Sequence, residues 1–282
     1  MLVSGSELLA QAARSGRAVG SFNTYNLEIT AAILRAAEAQ NAPVFLALGK
    51  GALDYAGFEL LSRASIIAAE QASVPVAVHL DHSPSIDLVV RAVETGYSSV
   101  MIDGSSQPFD SNIDLTKRAV ASAQPVTVEA ELGAVAGSED RSEAHSSQIP
   151  MTGPAQAAEF VDATGIHSLA IAIGNAHGFY AGEPHLDFDR LAEIAARVAV
   201  PLVLHGASGI SDADIDRCIR LGVRKINVNT EIRYTLFESL RQSLERGVFG
   251  YDVTKLFDAS IRAMQSTVED KIALFAGTRS PS

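Results

Sequence analysis

Short apolar runs alternate along the chain with longer segments whose apolar residues recur every three or four positions. The first pattern predicts buried strands and the second predicts helices packed on one face. The predicted strands are residues 18–22, 43–48, 75–80, 98–102, 125–128, 168–173, 201–204 and 224–228. Strands that alternate with helices in this way form a parallel sheet, because each crossover returns the chain to the same edge.

The segments with helical periodicity complete the alternation. They are residues 6–15, 28–40, 59–72, 85–95, 112–123, 154–164, 188–199, 212–221, 231–246 and 253–275. Eight strand–helix units, with no Gly-x-Gly-x-x-Gly after the first strand, favour a (β/α)₈ TIM barrel over an open doubly wound sheet. We therefore predict one TIM-barrel domain over residues 1–282, with additional terminal helices. The helix at 6–15 is expected to cover one end of the barrel.

Composition excludes several classes of protein. The 282 residues are 47% hydrophobic and carry a net charge of -11, without a cluster of Lys and Arg, which argues against a nucleic-acid partner. No apolar run reaches about 18 residues, so no membrane span is expected. The single cysteine, Cys218, excludes an internal disulfide and fits a reducing compartment. We expect a soluble cytoplasmic protein.

Polar residues gather where the predicted strands end, which is the face on which TIM barrels build their active sites. They are Asn23, Lys50, Asp81, His82, Asp103, Glu129, Glu131, Asn175, His177, His205, Asn227, Asn229 and Thr230. The beginnings of the strands carry no comparable set. The sequence therefore predicts a functional site at the carboxyl end of the barrel.

Three of these residues, His82, His177 and His205, would converge if the barrel closes. Imidazoles from three strand ends form a metal site with an open coordination position. His79 is on the same strand face as Asp81, which favours a supporting role over direct metal binding.

The carboxylates near these histidines allow more than one interpretation. Asp103 is either a helix N-cap or loop anchor, or a metal ligand. Glu131 either supports the ligands or offers an alternative one, so Asp103 and Glu131 define a candidate second metal position. Glu129 is interpreted as a buried structural carboxylate.

Small and polar residues follow the last two strands, at 206–209 and 227–230. Barrels commonly bind phosphate there, because small residues let backbone N–H groups approach an anion. Thr230 is placed to start a helix whose N-terminus attracts negative charge. Turn chemistry alone would also explain each segment; together, beside a metal site, they indicate a phosphate.

With these motifs in place, the chain resembles the class II, zinc-dependent ketose-bisphosphate aldolase family, which includes fructose- and tagatose-bisphosphate aldolases. The matching segments are residues 79–82 (HLDH), 128–133 continuing to 137–140, 174–178, 204–209 and 225–230. Their order and number are specific to the family. The Gly-Ala-Ser sequence after His205 is similar to the tagatose-bisphosphate branch.

The resemblance implies a mechanism. His82, His177 and His205 would bind Zn²⁺, which stabilises an enediolate. Asp81 would exchange a proton with the hydroxyl of the aldehyde half, and Glu139 would handle the proton at the ketose carbon. The products would be dihydroxyacetone phosphate and an aldehyde such as glyceraldehyde 3-phosphate.

The resemblance also implies the substrate-binding set, a monovalent cation (often Na⁺) beside the phosphate, and a homodimer or homotetramer. The phosphate would be held by Gly178, Gly206, Ser208, Asn229 and Thr230. Asn227 would lie near the substrate carbonyl. Beyond what the resemblance implies, we include Asn23, Lys50, Ala207 and Val228 among the candidate substrate-binding residues.

Two positions depart from the family. Ala181 stands where many relatives carry a phosphate-contacting Lys, and Lys50 stands where relatives more often have a small polar residue or Gly. Lys50 either replaces the missing charge, recognises another anionic group, or is a solvated loop lysine. The preferred ketose is therefore open, and an acidic sugar phosphate is an alternative.

Three other functions compete with the aldolase hypothesis. A Schiff-base aldolase would use Lys225 or Lys50 as its nucleophile. A zinc hydrolase would use a metal-bound water, although such barrels usually carry His-x-His on the first strand, which is absent after Phe22. A non-catalytic sugar-phosphate binding protein would have no need of Asp81 and Glu139.

Overall fold

The computed structural model of the chain describes residues 1–135, 137, 150–180, 182–247 and 251–278. Within these residues eight parallel strands pair in sequence order, and β8 returns to β1 to close a barrel. They are β1 (Val19–Asn23), β2 (Val44–Gly49), β3 (Val76–Ser83), β4 (Ser99–Ile102), β5 (Thr127–Leu132), β6 (Ser168–Ile171), β7 (Leu202–Leu204) and β8 (Val223–Val228). The structure confirms the predicted (β/α)₈ architecture.

Helices surround the barrel. In the described residues they are α1 (Gly5–Ser15), α2 (Leu27–Ala39), α3 (Lys50–Ala56), α4 (Phe58–Gln71), α5 (Ile86–Thr95), α6 (Phe109–Ala123), α7 (Pro154–Thr164), α8 (Phe188–Ala195), α9 (Asp212–Arg220), α10 (Thr230–Arg246) and α11 (Val253–Phe275). Local signals fix several ends: the Ser85 hydroxyl caps α5 by accepting the Leu88 N–H, and Gly96 ends it in the left-handed conformation.

The structure differs from the sequence prediction at the ends of two strands. Residues after β2 form α3, in a segment to which the sequence analysis assigned neither a strand nor a helix. Gly49 is extended and starts the helix, and Gly57, at φ +85°, stops it. The strand β3 also continues through Asp81 and His82 to Ser83 instead of ending at Leu80.

Alternation along the strands sorts apolar and polar side chains. On β3, Val76, Val78 and Leu80 belong to the apolar layer between barrel and helices, while His79 and Asp81 face the interior. The same parity turns Glu129 and Glu131 of β5, and Lys225 and Asn227 of β8, towards the barrel axis. Each of these polar residues is buried.

The opposite end of the barrel is closed by apolar side chains. Leu8, Leu9 and Ala12 of α1 pack on Val19, Phe45 and Ala77, which are the inward residues at the starts of their strands. This confirms that the first helix covers one end, so the polar interior opens only towards the carboxyl ends. In the part of the chain described here, no helix combines the length and apolarity needed to cross a bilayer.

Candidate active site

The end of β3 is irregular, and this irregularity places two consecutive side chains in the barrel mouth. The pairing with β4 shifts register between Leu80 and Ser83, and His82 has φ +45°. In a regular strand Asp81 and His82 would point to opposite faces. A left-handed non-glycine residue carries strain, and such strain concentrates at functional sites.

His82, His177 and His205 meet at this mouth, where β3, β6 and β7 end. One nitrogen of each lies within 4.8 Å of those of the other two. The Nε2 of His82 is 2.9 Å from the Nδ1 of His205. The ring centroids of His82 and His177 are 5.1 Å apart. The structure thus brings together the three histidines that the sequence singled out.

Carboxylates hold the outer nitrogens of two of these rings. The Nδ1 of His82 is 2.8 Å from Asp103 Oδ2, and the Nε2 of His205 is 2.9 Å from Glu129 Oε1. If His82 Nδ1 and His205 Nε2, the outer nitrogens, each donate to their carboxylate, then the inner nitrogens, His82 Nε2 and His205 Nδ1, present lone pairs to each other. A cation between them relieves that repulsion, so the arrangement fits an ion that takes imidazole ligands, such as Zn²⁺.

The charge state of His205 suits metal binding. Burial lowers the pKa of His205, and the neighbouring His82 lowers it further, against the opposing effect of Glu129. A metal needs the neutral imidazole, because a protonated nitrogen has no lone pair to donate.

Asp81 is completely buried and is held by two amides. Asn23 Nδ2 donates to one carboxylate oxygen at 2.8 Å, and Asn227 Nδ2 donates to the other at 3.2 Å. Burial raises the pKa of Asp81, but the neighbouring His82, His205 and Lys225 outweigh this effect and keep that pKa well below its usual range. Asp81 is therefore an anion with a fixed orientation beside the histidines.

Asp103 and Glu131 lie on the other side of His82. Asp103 accepts from the Ser105 backbone N–H at 3.0 Å as well as from His82, so it anchors a loop and orients the ring. It does not cap α6, whose N-cap is Pro108. Glu131 Oε2 is buried, has no hydrogen-bond partner among the described residues, and lies 3.8 Å from His82 Nδ1.

These two carboxylates have opposite electrostatic environments. The hydrogen bond from His82 lowers the pKa of Asp103 despite burial, whereas burial and the charge of Asp103 raise the pKa of Glu131 to about 8. One oxygen or nitrogen from each of His82, Asp103 and Glu131 falls within 4.8 Å of the others. This spacing is compatible with a second ion position.

The loops after β6 and β7 are joined at Gly206. Its φ is +64°, and a Cβ there would lie 2.2 Å from the carbonyl oxygen of Ala176, so only glycine fits. Tyr180 Oη accepts from the Ala176 N–H and donates to the Gly206 carbonyl, both at 2.9 Å. These contacts fix His177 relative to His205, and no pattern in the sequence indicated the part played by Tyr180.

The loop after β7 also touches the start of α10, which begins at Thr230. Ser208 Oγ accepts from the Glu231 N–H at 3.4 Å, and Glu231 Oε1 accepts from the Gly209 N–H at 3.0 Å. Asn229, the N-cap residue, donates to Tyr25 Oη at 2.9 Å. Backbone N–H groups of the loop and the helix therefore lie side by side.

Gly178, Ala207 and Val228, which the sequence also singled out, do not place a side chain in the site. Gly178 has φ +93°, and the side chains of Ala207 and Val228 pack in the apolar layer, which leaves only their backbone for a ligand. Glu139 and Ala181 lie outside the described residues.

A cavity of about 340 Å³ opens beside His82 and His177. Its walls include Tyr25, Lys50, His82, Asp103 and His177. Lys50 is the first residue of α3, is half exposed and pairs with Asp54. The ammonium group of Lys50 therefore lies at the rim of the cavity.

Known proteins resemble the chain over nearly its full length. A family model described as class-II fructose-bisphosphate aldolase matches residues 3–279. A Thermus caldophilus protein named fructose-bisphosphate aldolase is 41% identical, with 98% of each chain covered. A Bacillus subtilis protein named probable fructose-bisphosphate aldolase is also 41% identical, with 98% of each covered.

Solved structures agree with the sequence matches. The YdjI aldolase from Escherichia coli K12 has a TM-score of 0.85 at 36% identity, covering 98% of this chain and 97% of that one. A putative fructose-1,6-bisphosphate aldolase from Coccidioides immitis has a TM-score of 0.87 at 33% identity, with 98% of each covered. The matched region contains every strand end described above.

Proposed function

The chain belongs to the class-II fructose-bisphosphate aldolase family, and from this membership we propose which bond it cleaves and with which residues. The substrate is a ketose bisphosphate of the fructose 1,6- or tagatose 1,6-bisphosphate type. Cleavage yields dihydroxyacetone phosphate and an aldehyde such as glyceraldehyde 3-phosphate. The observation that carries the proposal is the convergence of His82, His177 and His205 beside a buried, oriented Asp81.

The histidines form the metal site in this proposal. His82, His177 and His205 would hold Zn²⁺, which when bound acts as a Lewis acid on the substrate carbonyl and stabilises the negative charge left by C–C cleavage. Asp103 and Glu129 keep the outer nitrogens of His82 and His205 occupied, so that the inner ones face the ion. Asp103 and Glu131 serve as a second position for the ion beside His82.

Asp81 moves the proton at the aldehyde end. In the cleavage direction its carboxylate accepts the proton of the substrate hydroxyl as the C–C bond breaks, and in the synthetic direction it returns it. Asn23 and Asn227 hold its two oxygens, which fixes the direction in which a lone pair faces the substrate. Asn227 lies near the substrate carbonyl, and Glu139 is proposed to handle the proton on the ketose carbon.

The phosphate is assigned to the loops after the last strands. Gly178, Gly206, Ser208, Asn229 and Thr230 would form this anion site from backbone N–H groups and small polar side chains, without a cationic side chain. A monovalent cation, of which Na⁺ is the family's usual one, would accompany the phosphate. Ala207 and Val228 contribute only backbone.

The position of Lys50 supports a second candidate substrate within the same chemistry. Its ammonium lies at the cavity rim, where it suits an anionic group at the far end of the ketose. An acidic sugar phosphate would present such a group as well as a bisphosphate does. Comparing kcat/KM over a panel of ketose phosphates that differ at this end separates the two.

Geometry weighs against the Schiff-base alternative. Lys225 is fully buried below the site, and its Nζ is 2.9 Å from Glu129 Oε2. A substrate carbonyl entering from the mouth would have to displace that pair. Borohydride treatment with substrate should leave no covalent adduct, and an adduct would overturn the zinc mechanism.

Solvent deuterium exchange tests the central proposal without a guess about the aldehyde. The carbon-bound proton of dihydroxyacetone phosphate should exchange, stop exchanging with chelator, and resume with Zn²⁺. If zinc-loaded protein showed no exchange, dihydroxyacetone phosphate would not be the ketose product of the cleavage, and a different compound would take its place. The single catalytic domain, the homodimer or homotetramer, and the cytoplasmic location remain parts of this proposal, to be tested by limited proteolysis, light scattering and fractionation.

A further inference from the structure

Lys225 is a buried ammonium group that the proposed reaction does not use. Its side chain is inaccessible to solvent inside the barrel, below the histidines. Its Nζ lies 2.9 Å from Glu129 Oε2 and 3.2 Å from His79 Nε2. Burying a charge is expensive even when it is paired. An apolar residue would fill this layer of the barrel at lower cost, so the charge has another role.

The partner carboxylate connects Lys225 to the metal site. Glu129 accepts the Lys225 ammonium at Oε2 and faces His205 Nε2 at 2.9 Å with Oε1. An ammonium 2.9 Å from a buried carboxylate oxygen favours the ionised form of that carboxylate. An ionised carboxylate only accepts hydrogen bonds. His205 Nε2 must therefore carry the proton.

The tautomer of His205 follows from this contact. A neutral imidazole has one protonated nitrogen and one lone pair. With the proton on Nε2, the lone pair is on Nδ1, which is the atom 2.9 Å from His82 Nε2. The opposite tautomer would point an N–H at the place where the ion must bind.

We propose that Lys225 is a positioning residue for the metal site, acting through Glu129 to select the His205 tautomer whose Nδ1 binds the ion. The ammonium fixes Glu129 as an anion with Oε1 turned to His205. The same ammonium donates to His79 Nε2, so that His79 Nδ1 donates to Ser99 Oγ at 2.8 Å. This inference rests on the metal site proposed above.

Two variants test the tautomer selection. In Glu129→Gln, Lys225 holds the amide oxygen and the NH₂ group faces His205 Nε2, which must then accept while Nδ1 carries the proton. Zinc affinity should fall about 10- to 100-fold, the usual effect of losing such a partner. In Glu129→Gln with Lys225→Met, the amide can turn its oxygen to His205 Nε2. The double variant should recover most of the lost affinity.

The measurements are zinc affinity by competition with a chromophoric chelator and the His205 tautomer by imidazole ¹⁵N NMR of the metal-free protein. Lys117→Met, on the exposed face of α6, is the matched control and should change neither. Circular dichroism confirms that each variant folds. A purely structural role for the pair would make the double variant bind no better than Glu129→Gln.

Two outcomes overturn the inference: Glu129→Gln that binds zinc like the wild type, or a double variant without recovery. If the variants do not fold, wild-type His205 protonated at Nδ1 in the NMR spectrum also overturns it. Wild-type protein that binds no zinc would instead contradict the proposed metal site, and the NMR tautomer would still decide the effect of Lys225.

Discussion

His82 and His205 are 123 positions apart in the chain, yet His82 Nε2 lies 2.9 Å from His205 Nδ1. Each ring gives its other nitrogen to a carboxylate, Asp103 or Glu129. The two inner nitrogens are thus positioned before any ligand arrives. Such preorganisation means that an ion binds without first reorienting the rings.

Mutation should separate the role of Asp81 in proton transfer from the role of His205 in binding zinc. Asp81→Ala leaves the histidines in place, so it should retain zinc while cleavage falls by about 10²- to 10⁴-fold, the range for loss of an acid–base group. His205→Ala should lose both zinc and activity. Metal analysis and steady-state kinetics on the two variants check this. Normal zinc content and activity in His205→Ala would remove it from the ligand set.

Gly206 should be sensitive to a single methyl group, and Gly16 provides a matched control. Both have nearly the same positive φ, +64° and +65°, but only the Gly206 Cβ would meet a backbone carbonyl, whereas Gly16 has open space. Gly16→Ala should cost only the left-handed strain, about 1–2 kcal/mol. Gly206→Ala should cost more and also weaken zinc binding, because the clash is with Ala176, next to His177. Urea unfolding and zinc titration measure both, and equal losses would contradict the role of that contact.

His79 should make the metal-free protein less stable in mild acid. Burial lowers the pKa of His79 to about 3 from 6.5; Lys225 lowers it further, while Glu129 and Asp81 oppose the shift. Between these values the unfolded chain binds a proton that the folded one does not. The stabilisation is therefore complete above pH 6.5 and is lost as the pH falls towards 3.

In His79→Gln the amide can still form hydrogen bonds with Lys225 and Ser99, but a glutamine side chain does not titrate. Below pH 6.5 its free energy of unfolding should fall less steeply than that of the wild type, by about 1.4 kcal/mol per pH unit. Urea unfolding in chelator at several pH values gives both slopes. Parallel slopes would show that His79 is protonated equally in both states.

Lys50 should contribute to binding an anionic group at the far end of the substrate. Its pair with Asp54 is exposed at the surface and is worth at most about 1 kcal/mol, so an anionic ligand can compete for it. Lys50→Met should lower kcat/KM for the bisphosphate about 10-fold, the effect of losing one charged hydrogen bond. Exchange of dihydroxyacetone phosphate should fall far less. Asp54→Asn, which keeps the cation, is the control, and an unchanged kcat/KM in Lys50→Met would assign Lys50 to the solvated surface.

Sequence patterns predicted the barrel well because its strands are apolar runs with clear boundaries. Gly96 ends α5 and Thr230 begins α10 where local chemistry indicated. The helix α3 was missed because the glycines beside Lys50 are typical of turns, and only the tertiary structure shows that Gly49 starts a helix.

The candidate site was predictable in its members but not in their contacts. Strand ends identified His82, His177 and His205, since a barrel brings such ends together. The register shift that turns both Asp81 and His82 into the mouth has no signal in an apolar run. The pairing of Lys225 with Glu129, 96 positions apart, depends on the fold, and the sequence showed only that Lys225 lies early in its strand.

The spread of the three histidines over β3, β6 and β7 also has a consequence for biosynthesis. A growing chain presents His82 long before His205, and a ligand set from one strand cannot hold the ion in the geometry described above. We expect a nascent chain to acquire zinc only after β7 has left the ribosome and docked. Occupation of the three-histidine site then reports that β3, β6 and β7 have come together, and chains stalled before residue 205 should lack this site.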